Sequence, residues 1–134
     1  CDRTMNKALK LLSILGLTLS LALASVAVGQ NRNVRLDPAF SAFWTKFKDA
    51  IAKNDKQRVA DMTKLPFMMD SIDHDRAGFI KEYPKLFTLR MRRCIARAKP
   101  MKEQDYYEIF CGDQIFLFGK VDGVWKVVEI GVND

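Results

Sequence analysis

The sequence predicts an α+β domain in which N-terminal helices pack on a curved antiparallel β-sheet. Between residues 37 and 98, apolar side chains recur at helical spacing. After Glu103 the period changes to two, which is typical of strands, and the Asp122-Gly123 pair joins the last two alternating segments. Helices followed by an antiparallel meander are characteristic of the α+β class.

The first 29 residues have the layout of a few upstream residues followed by a cleavable signal peptide. Met5 begins a short basic stretch, an uncharged apolar run follows, and Ala27 to Gly29 fits the small-x-small rule for cleavage before Gln30. We therefore expect export to the periplasm or the cell exterior, with only transient membrane contact. A retained anchor is the alternative, because residues 11–28 reach the lower length limit of a spanning helix.

The remaining chain has room for one domain. Cleavage of 29 residues from 134 leaves 105, which we divide into a flexible lead-in at 30–36 and a folded domain at 37–134. The leader carries three basic side chains and one acidic one, so +4 of the formal charge of +6 remains. This excess favours acidic partners only weakly.

Two helices are expected at the start of the domain. Asp37-Pro38 supplies an N-cap and a first-turn proline, and Asp55 can cap a short second helix. The apolar stripe of the first helix contains Phe40, Phe43, Trp44, Phe47, Ala50 and Ile51.

The central part of the chain is predicted as strand, loop and helix. "LPFMM" indicates an edge strand that contains a proline, and "DSIDHD" indicates a polar loop. Asp75 can cap a third helix, in which Pro84 predicts a kink or a break. We interpret "LRMRRCIARAK" as a fourth helix that ends at a turn near Pro100, because Met91, Cys94 and Ile95 cannot share one face of a regular strand.

The last third of the chain is predicted to be a meander. Residues 106–111 alternate, Gly112-Asp113 turns the chain, and residues 115–121 alternate again. Asp122-Gly123 suits a two-residue type I′ turn, which needs positive φ at both positions. In the final strand, Glu129 is predicted to share a face with Trp125 and Val127.

Two cysteines remain after cleavage of the leader, Cys94 and Cys111. Export would place them in an oxidising compartment, where a disulfide between them would contribute about 3 kcal/mol. The alternative is a pair of small buried apolar side chains.

The order of elements resembles the nuclear transport factor 2-like superfamily, a cone-shaped α+β fold, and in particular its small exported bacterial members. The resemblance covers about Asp37 to Ile130 and depends on "FWTKFKDAIAKNDKQRVADM", "LPFMM", "FIKEYPKLF" and "DGVWKVVEI". It implies a pocket between helices and sheet. The superfamily contains isomerases, dehydratases, carriers and interaction domains, so it leaves the function open.

A hydrophobic ligand pocket is one candidate site. Nine large apolar side chains are available for its walls, although each of them also suits an ordinary core. They are Trp44, Phe47, Phe79, Tyr83, Phe87, Tyr107, Phe116, Phe118 and Trp125. An exposed aromatic patch on the sheet would instead favour a protein partner or a homodimer.

An enzyme of the isomerase or dehydratase kind is the alternative function. It would need an acid inside the cone, and Asp73 with His74 is the best available pair. The same loop does not reproduce a known metal-ligand spacing, and His74 is the only histidine. We therefore expect no metal and no cofactor.

A basic cluster is the sharpest charge feature of the chain. On a helix, Arg90, Arg93 and Arg97 would line one face that could bind phosphate, anionic lipid or an acidic protein surface. A solvated helix face is the alternative. Nucleic acid is not expected, because no aromatic residues interleave with the arginines and the protein is expected to be exported.

Taken together, the sequence favours an exported, non-catalytic domain that binds a small hydrophobic molecule or a protein partner.

Overall fold

Four helices and two antiparallel sheets make up the described part of the chain, residues 35–132 of a computed structural model. The predicted α+β class is confirmed. The predicted signal peptide and most of the lead-in lie outside the described residues. Within residues 35–132, none of the helices has the length and apolar character needed to cross a membrane.

The first two helices follow the predicted boundaries. Helix α1 spans Pro38–Ala52 and helix α2 spans Lys56–Asp61. The Asp55 carboxylate accepts a hydrogen bond from the Arg58 N–H and caps α2 as predicted. Asp37, in contrast, makes no side-chain cap bond; its N–H donates to the Tyr107 hydroxyl at 2.9 Å, which attaches the start of α1 to the sheet.

The middle of the segment predicted as a polar loop, Ile72–His74, is a strand. Strand β1, Phe67–Met69, pairs with strand β2, Ile72–His74, in a separate two-stranded sheet. Asp70 and Ser71 form the turn, with φ of 51° and 63°. Aspartate tolerates this conformation because its short polar side chain can bond locally, so the turn forms without glycine.

Helix α3, Arg76–Leu86, is capped by the carboxylate of Asp75, as predicted, and passes through Pro84. The break falls two residues after the proline. Thr88 then caps helix α4, Leu89–Arg97, by accepting a hydrogen bond from the Met91 N–H at 3.2 Å. The helical interpretation of this segment is thus confirmed.

The main sheet has four antiparallel strands in the order β3-β4-β5-β6. The strands are β3 (Met101–Lys102), β4 (Tyr107–Cys111), β5 (Gln114–Val121) and β6 (Val124–Val132). Asp122 and Gly123 have φ of 51° and 78°, which confirms the predicted tight turn.

A β-bulge corrects the predicted facing of β6. Leu117 pairs with Glu129, whereas Phe118 pairs with Val127, so Val128 is an extra residue. The insertion reverses the alternation. Glu129 is therefore exposed, and Ile130 packs against the core in its place.

Candidate functional site

The nine aromatic residues predicted to line a pocket all lie in the core. None of them is more than 7% exposed. Their rings contact one another: Tyr83 and Phe87 stack with centroids 4.7 Å apart, and Tyr107 meets Trp125 edge to face at 5.4 Å. Such distances are those of packed aromatic pairs. The rings form the packed core between helices and sheet.

The three arginines of the basic cluster do come together in space. Arg90, Arg93 and Arg97 lie along one side of α4, as their spacing of three and four residues predicts. They line an open groove of about 710 Å³ between α4 and β4. We call this site the arginine groove; its wall residues are Leu89, Arg90, Arg93, Cys94, Arg97, Ala98 and Phe110.

Apolar surface lies between the charges of the arginine groove. Leu89 is 53% exposed and Phe110 is 42% exposed, although both are large apolar side chains. Cys94 and Ala98 add further apolar wall. Exposed apolar surface rimmed by polar groups is a common feature of binding sites.

A disulfide fixes one side of the groove. Cys94 on α4 is bonded to Cys111 at the end of β4, and their Cα atoms are 5.7 Å apart. This spacing is within the normal range for a disulfide. The bond therefore holds the helix that carries the arginines against the strand that carries Phe110.

The guanidinium groups of the groove form no ion pair with the described part of the chain. Among residues 35–132, the four ion pairs involve the cations Lys53, Arg58, Arg76 and Lys85. Arg90, Arg93 and Arg97 take part in none of these pairs. Their positive charge is therefore available to a ligand.

The clustering of arginines lowers the local stability of helix α4. It has four arginines and no acidic residue, so like charges meet at spacings of three and four. Arg90 also places a cation in the first turn, where the helix dipole favours an anion. Local helix stability therefore does not explain why α4 contains four arginines.

The residues of the enzyme alternative are poorly placed for catalysis. Asp73 and His74 are neighbours on β2 and point to opposite faces of the strand. Asp73 is exposed and His74 is half-buried, with Nδ1 close to Gly78. The described residues contain no group of three or more metal-ligating side chains arranged for an ion.

Sequence reasoning missed two walls of the groove. Leu89 was not singled out, and Phe110 was assigned only to a strand face. Their positions depend on how α4 lies against β4, which no local pattern encodes. The two cysteines were the available signal, since a disulfide between them requires α4 to meet the end of β4.

The groove offers two kinds of contact to a ligand. Arginine guanidinium groups can bind carboxylate or phosphate oxygens in a bidentate manner. Leu89 and Phe110 can bury the apolar part of the same molecule.

Comparison with protein families, curated proteins and solved structures found no match for this chain.

Proposed function

We propose that this protein is an exported, non-catalytic binding domain whose arginine groove holds an anionic molecule with an apolar body. The observation that carries the proposal is the combination, in one groove, of exposed Leu89 and Phe110 with three guanidinium groups that form no ion pair within residues 35–132. A solvated helix face would need the arginine charges but not the exposed apolar side chains Leu89 and Phe110. A site for a neutral hydrophobic ligand would need these apolar side chains but not the charges.

The fold and the compartment fit this proposal. Helices beside an antiparallel sheet suit the nuclear transport factor 2-like cone that the sequence resembles, and that superfamily includes carriers. The Cys94–Cys111 bond is compatible with export, because disulfides persist in oxidising compartments. We place the proposed binding site outside the space between helices and sheet, because aromatic side chains fill that space.

The enzyme alternative has less support. It requires a carboxylate held in a dry cavity, where burial can tune its pKa. Among residues 35–132, no aspartate or glutamate side chain is buried. We therefore favour binding over catalysis.

Titration calorimetry with a matched set of twelve-carbon probes tests the proposal. Dodecanoate carries the anion, dodecyltrimethylammonium carries the opposite charge, and dodecanol carries none. With each probe kept below its solubility or micelle limit, we expect measurable binding of dodecanoate alone. Added salt should weaken this binding, because exposed charges are screened.

Variants with matched charge locate the site. Replacement of Arg90, Arg93 and Arg97 by glutamine should weaken dodecanoate binding about tenfold or more. The control replaces the exposed residues Lys46, Lys64 and Lys81 by glutamine, which removes the same charge elsewhere. Equal losses in both triple variants, or equal binding of all three probes, would show that the groove is not a specific anion site.

A further inference from the structure

A second cleft lies on another side of α4, where α4 meets the end of α3 and the start of α2. It has a volume of about 320 Å³ and is walled by Asn54, Lys56, Tyr83, Pro84, Phe87, Thr88, Leu89 and Arg92. Leu89 is the one residue that this cleft shares with the arginine groove. The two sites can therefore be tested separately.

Two polar groups in the walls of this cleft are buried and have no hydrogen-bond partner in the part of the chain that the structure describes. Among residues 35–132, neither the Tyr83 hydroxyl nor Arg92 Nε makes a hydrogen bond. Tyr83 is only 2% exposed. Buried polar groups are almost always paired, because desolvation without a hydrogen bond is unfavourable. The two groups therefore call for a partner from outside the described chain.

The chemistry of the walls indicates what that partner is. Arg92 Nε can only donate, and its guanidinium is permanently charged. Lys56 adds an exposed ammonium group at the wall. Burial raises the pKa of Tyr83, and the Arg92 charge acts in the opposite direction, so the hydroxyl remains a proton donor at neutral pH.

One carboxylate lies close enough to influence Tyr83. Asp55 acts on the pKa of the Tyr83 hydroxyl in the same direction as burial. Its side chain is engaged, however, because it accepts the Arg58 N–H at the start of α2. Neither the Tyr83 hydroxyl nor Arg92 Nε hydrogen-bonds to it among the described residues.

We propose that this cleft binds a small molecule through an oxyanion, a carboxylate or a phosphate, which accepts hydrogen bonds from Arg92 Nε and the Tyr83 hydroxyl. Lys56 balances the remaining negative charge. Pro84, Phe87 and Leu89 provide apolar wall for the rest of the molecule. The proposal is independent of the arginine groove, which lies on the other side of α4.

Inorganic phosphate and acetate are the probes for this site. Thermal unfolding of the oxidised protein is followed at pH 7 while each anion replaces chloride at constant ionic strength. A ligand that binds only the folded state raises Tm progressively with its concentration. We expect this rise for at least one of the two anions in a variant whose groove arginines, Arg90, Arg93 and Arg97, are replaced by glutamine, and which of them acts identifies the oxyanion chemistry. No rise with either anion overturns the proposal and leaves an ordered water as the partner.

The Tyr83→Phe variant gives the sharper result, because it removes the hydroxyl and keeps the ring. Without added anion its Tm should equal or exceed that of the wild type, since an unpaired buried group is lost. Its Kd for the effective anion should rise about tenfold, as expected for a lost hydrogen bond to a charged group. An unchanged Kd overturns the proposal.

Arg92→Gln should weaken binding of the same anion at least as much as Tyr83→Phe does. Lys81→Gln removes an exposed charge elsewhere and should leave the Kd unchanged. Tyr83→Phe should leave unchanged the part of dodecanoate binding that is lost when Arg90, Arg93 and Arg97 are replaced by glutamine. If Tyr83→Phe weakens that part and phosphate binding equally, the two sites are one and the separate oxyanion site is disproved.

Discussion

Individual side chains explain where the first helix attaches to the sheet. The Phe40 and Tyr107 rings are stacked with centroids 3.8 Å apart, and the Tyr107 hydroxyl accepts the Asp37 N–H. Tyr107 of β4 therefore contacts α1 twice, through its ring against Phe40 and through its hydroxyl at the start of the helix. Its aromatic character was predictable from the sequence, but this hydrogen bond spans 70 residues and was not.

Tyr107→Phe should lower the free energy of unfolding by about 1 to 2 kcal/mol. The ring stack survives, whereas the half-buried Asp37 N–H loses its acceptor. Urea denaturation measures the loss, and Tyr106→Phe at the exposed neighbouring position is the control. Similar values for the two variants would show that the bond between α1 and β4 adds no stability.

The raised pKa of Glu108 should appear in the pH dependence of the free energy of unfolding. Burial, and then the nearby Glu103 carboxylate, raise the pKa of Glu108 above its ordinary value. The folded protein therefore binds this proton more tightly than the unfolded chain does. The resulting stability is present below about pH 4.3 and is lost as the pH rises through the folded-state pKa.

Glu108→Gln, which resembles the protonated form, should accordingly match the wild type near pH 3 and be slightly more stable at pH 7. Urea denaturation at both pH values measures this difference. Glu103→Gln should show a weaker change of the same sign, because it removes the neighbouring charge. A variant that is less stable than the wild type at pH 7 would contradict the assignment.

At the scale of elements, periodicity was enough to predict all four helices and the strands of the hairpin. Three features escaped it. Strand β3 has two residues, Met101 and Lys102, and was not predicted. Strand β2 has three residues, too few for a visible alternation, and its turn lacks glycine. The bulge in β6 reverses the facing of Glu129 and Ile130, and packing against the rest of the sheet decides it.

The bulge makes a paired prediction. Ile130→Ala should destabilise the protein by about 1 to 2 kcal/mol, less than for a fully buried isoleucine. Glu129→Ala should change stability by less than about 0.5 kcal/mol, as for other surface positions. Denaturation of the two variants measures both values. A larger loss of stability for Glu129→Ala than for Ile130→Ala would contradict the bulge and indicate a regularly alternating strand.

The disulfide joins α4 to β4 and should support both stability and binding. Replacement of Cys94 and Cys111 by alanine should lower the free energy of unfolding by about 3 kcal/mol. Dodecanoate binding should also weaken under conditions in which the variant is folded, because α4 is no longer fixed beside Phe110. Unchanged affinity in a folded double variant would show that the groove does not depend on the bond.

At the scale of the whole molecule, aromatic side chains fill the interior and the candidate binding sites lie outside it, on two sides of α4. The arginine face was predictable because its spacing is helical. The Tyr83–Arg92 cleft was not, since its groups come from different helices. The predicted homodimer through the sheet remains a prediction; Val124 and Val132 are exposed there, and sedimentation at several concentrations tests it.

Nuclear magnetic resonance with ¹⁵N-labelled protein and dodecanoate tests the central claim most directly, because it locates the ligand without a mutation. We predict saturable shifts of the backbone amides from Leu89 to Arg97 and at Phe110, with little change at Trp44 and Phe118. Shifts concentrated at the core residues would show that the ligand enters between helices and sheet. That result, or the absence of any saturable shift, would contradict an arginine groove that binds anionic amphiphiles.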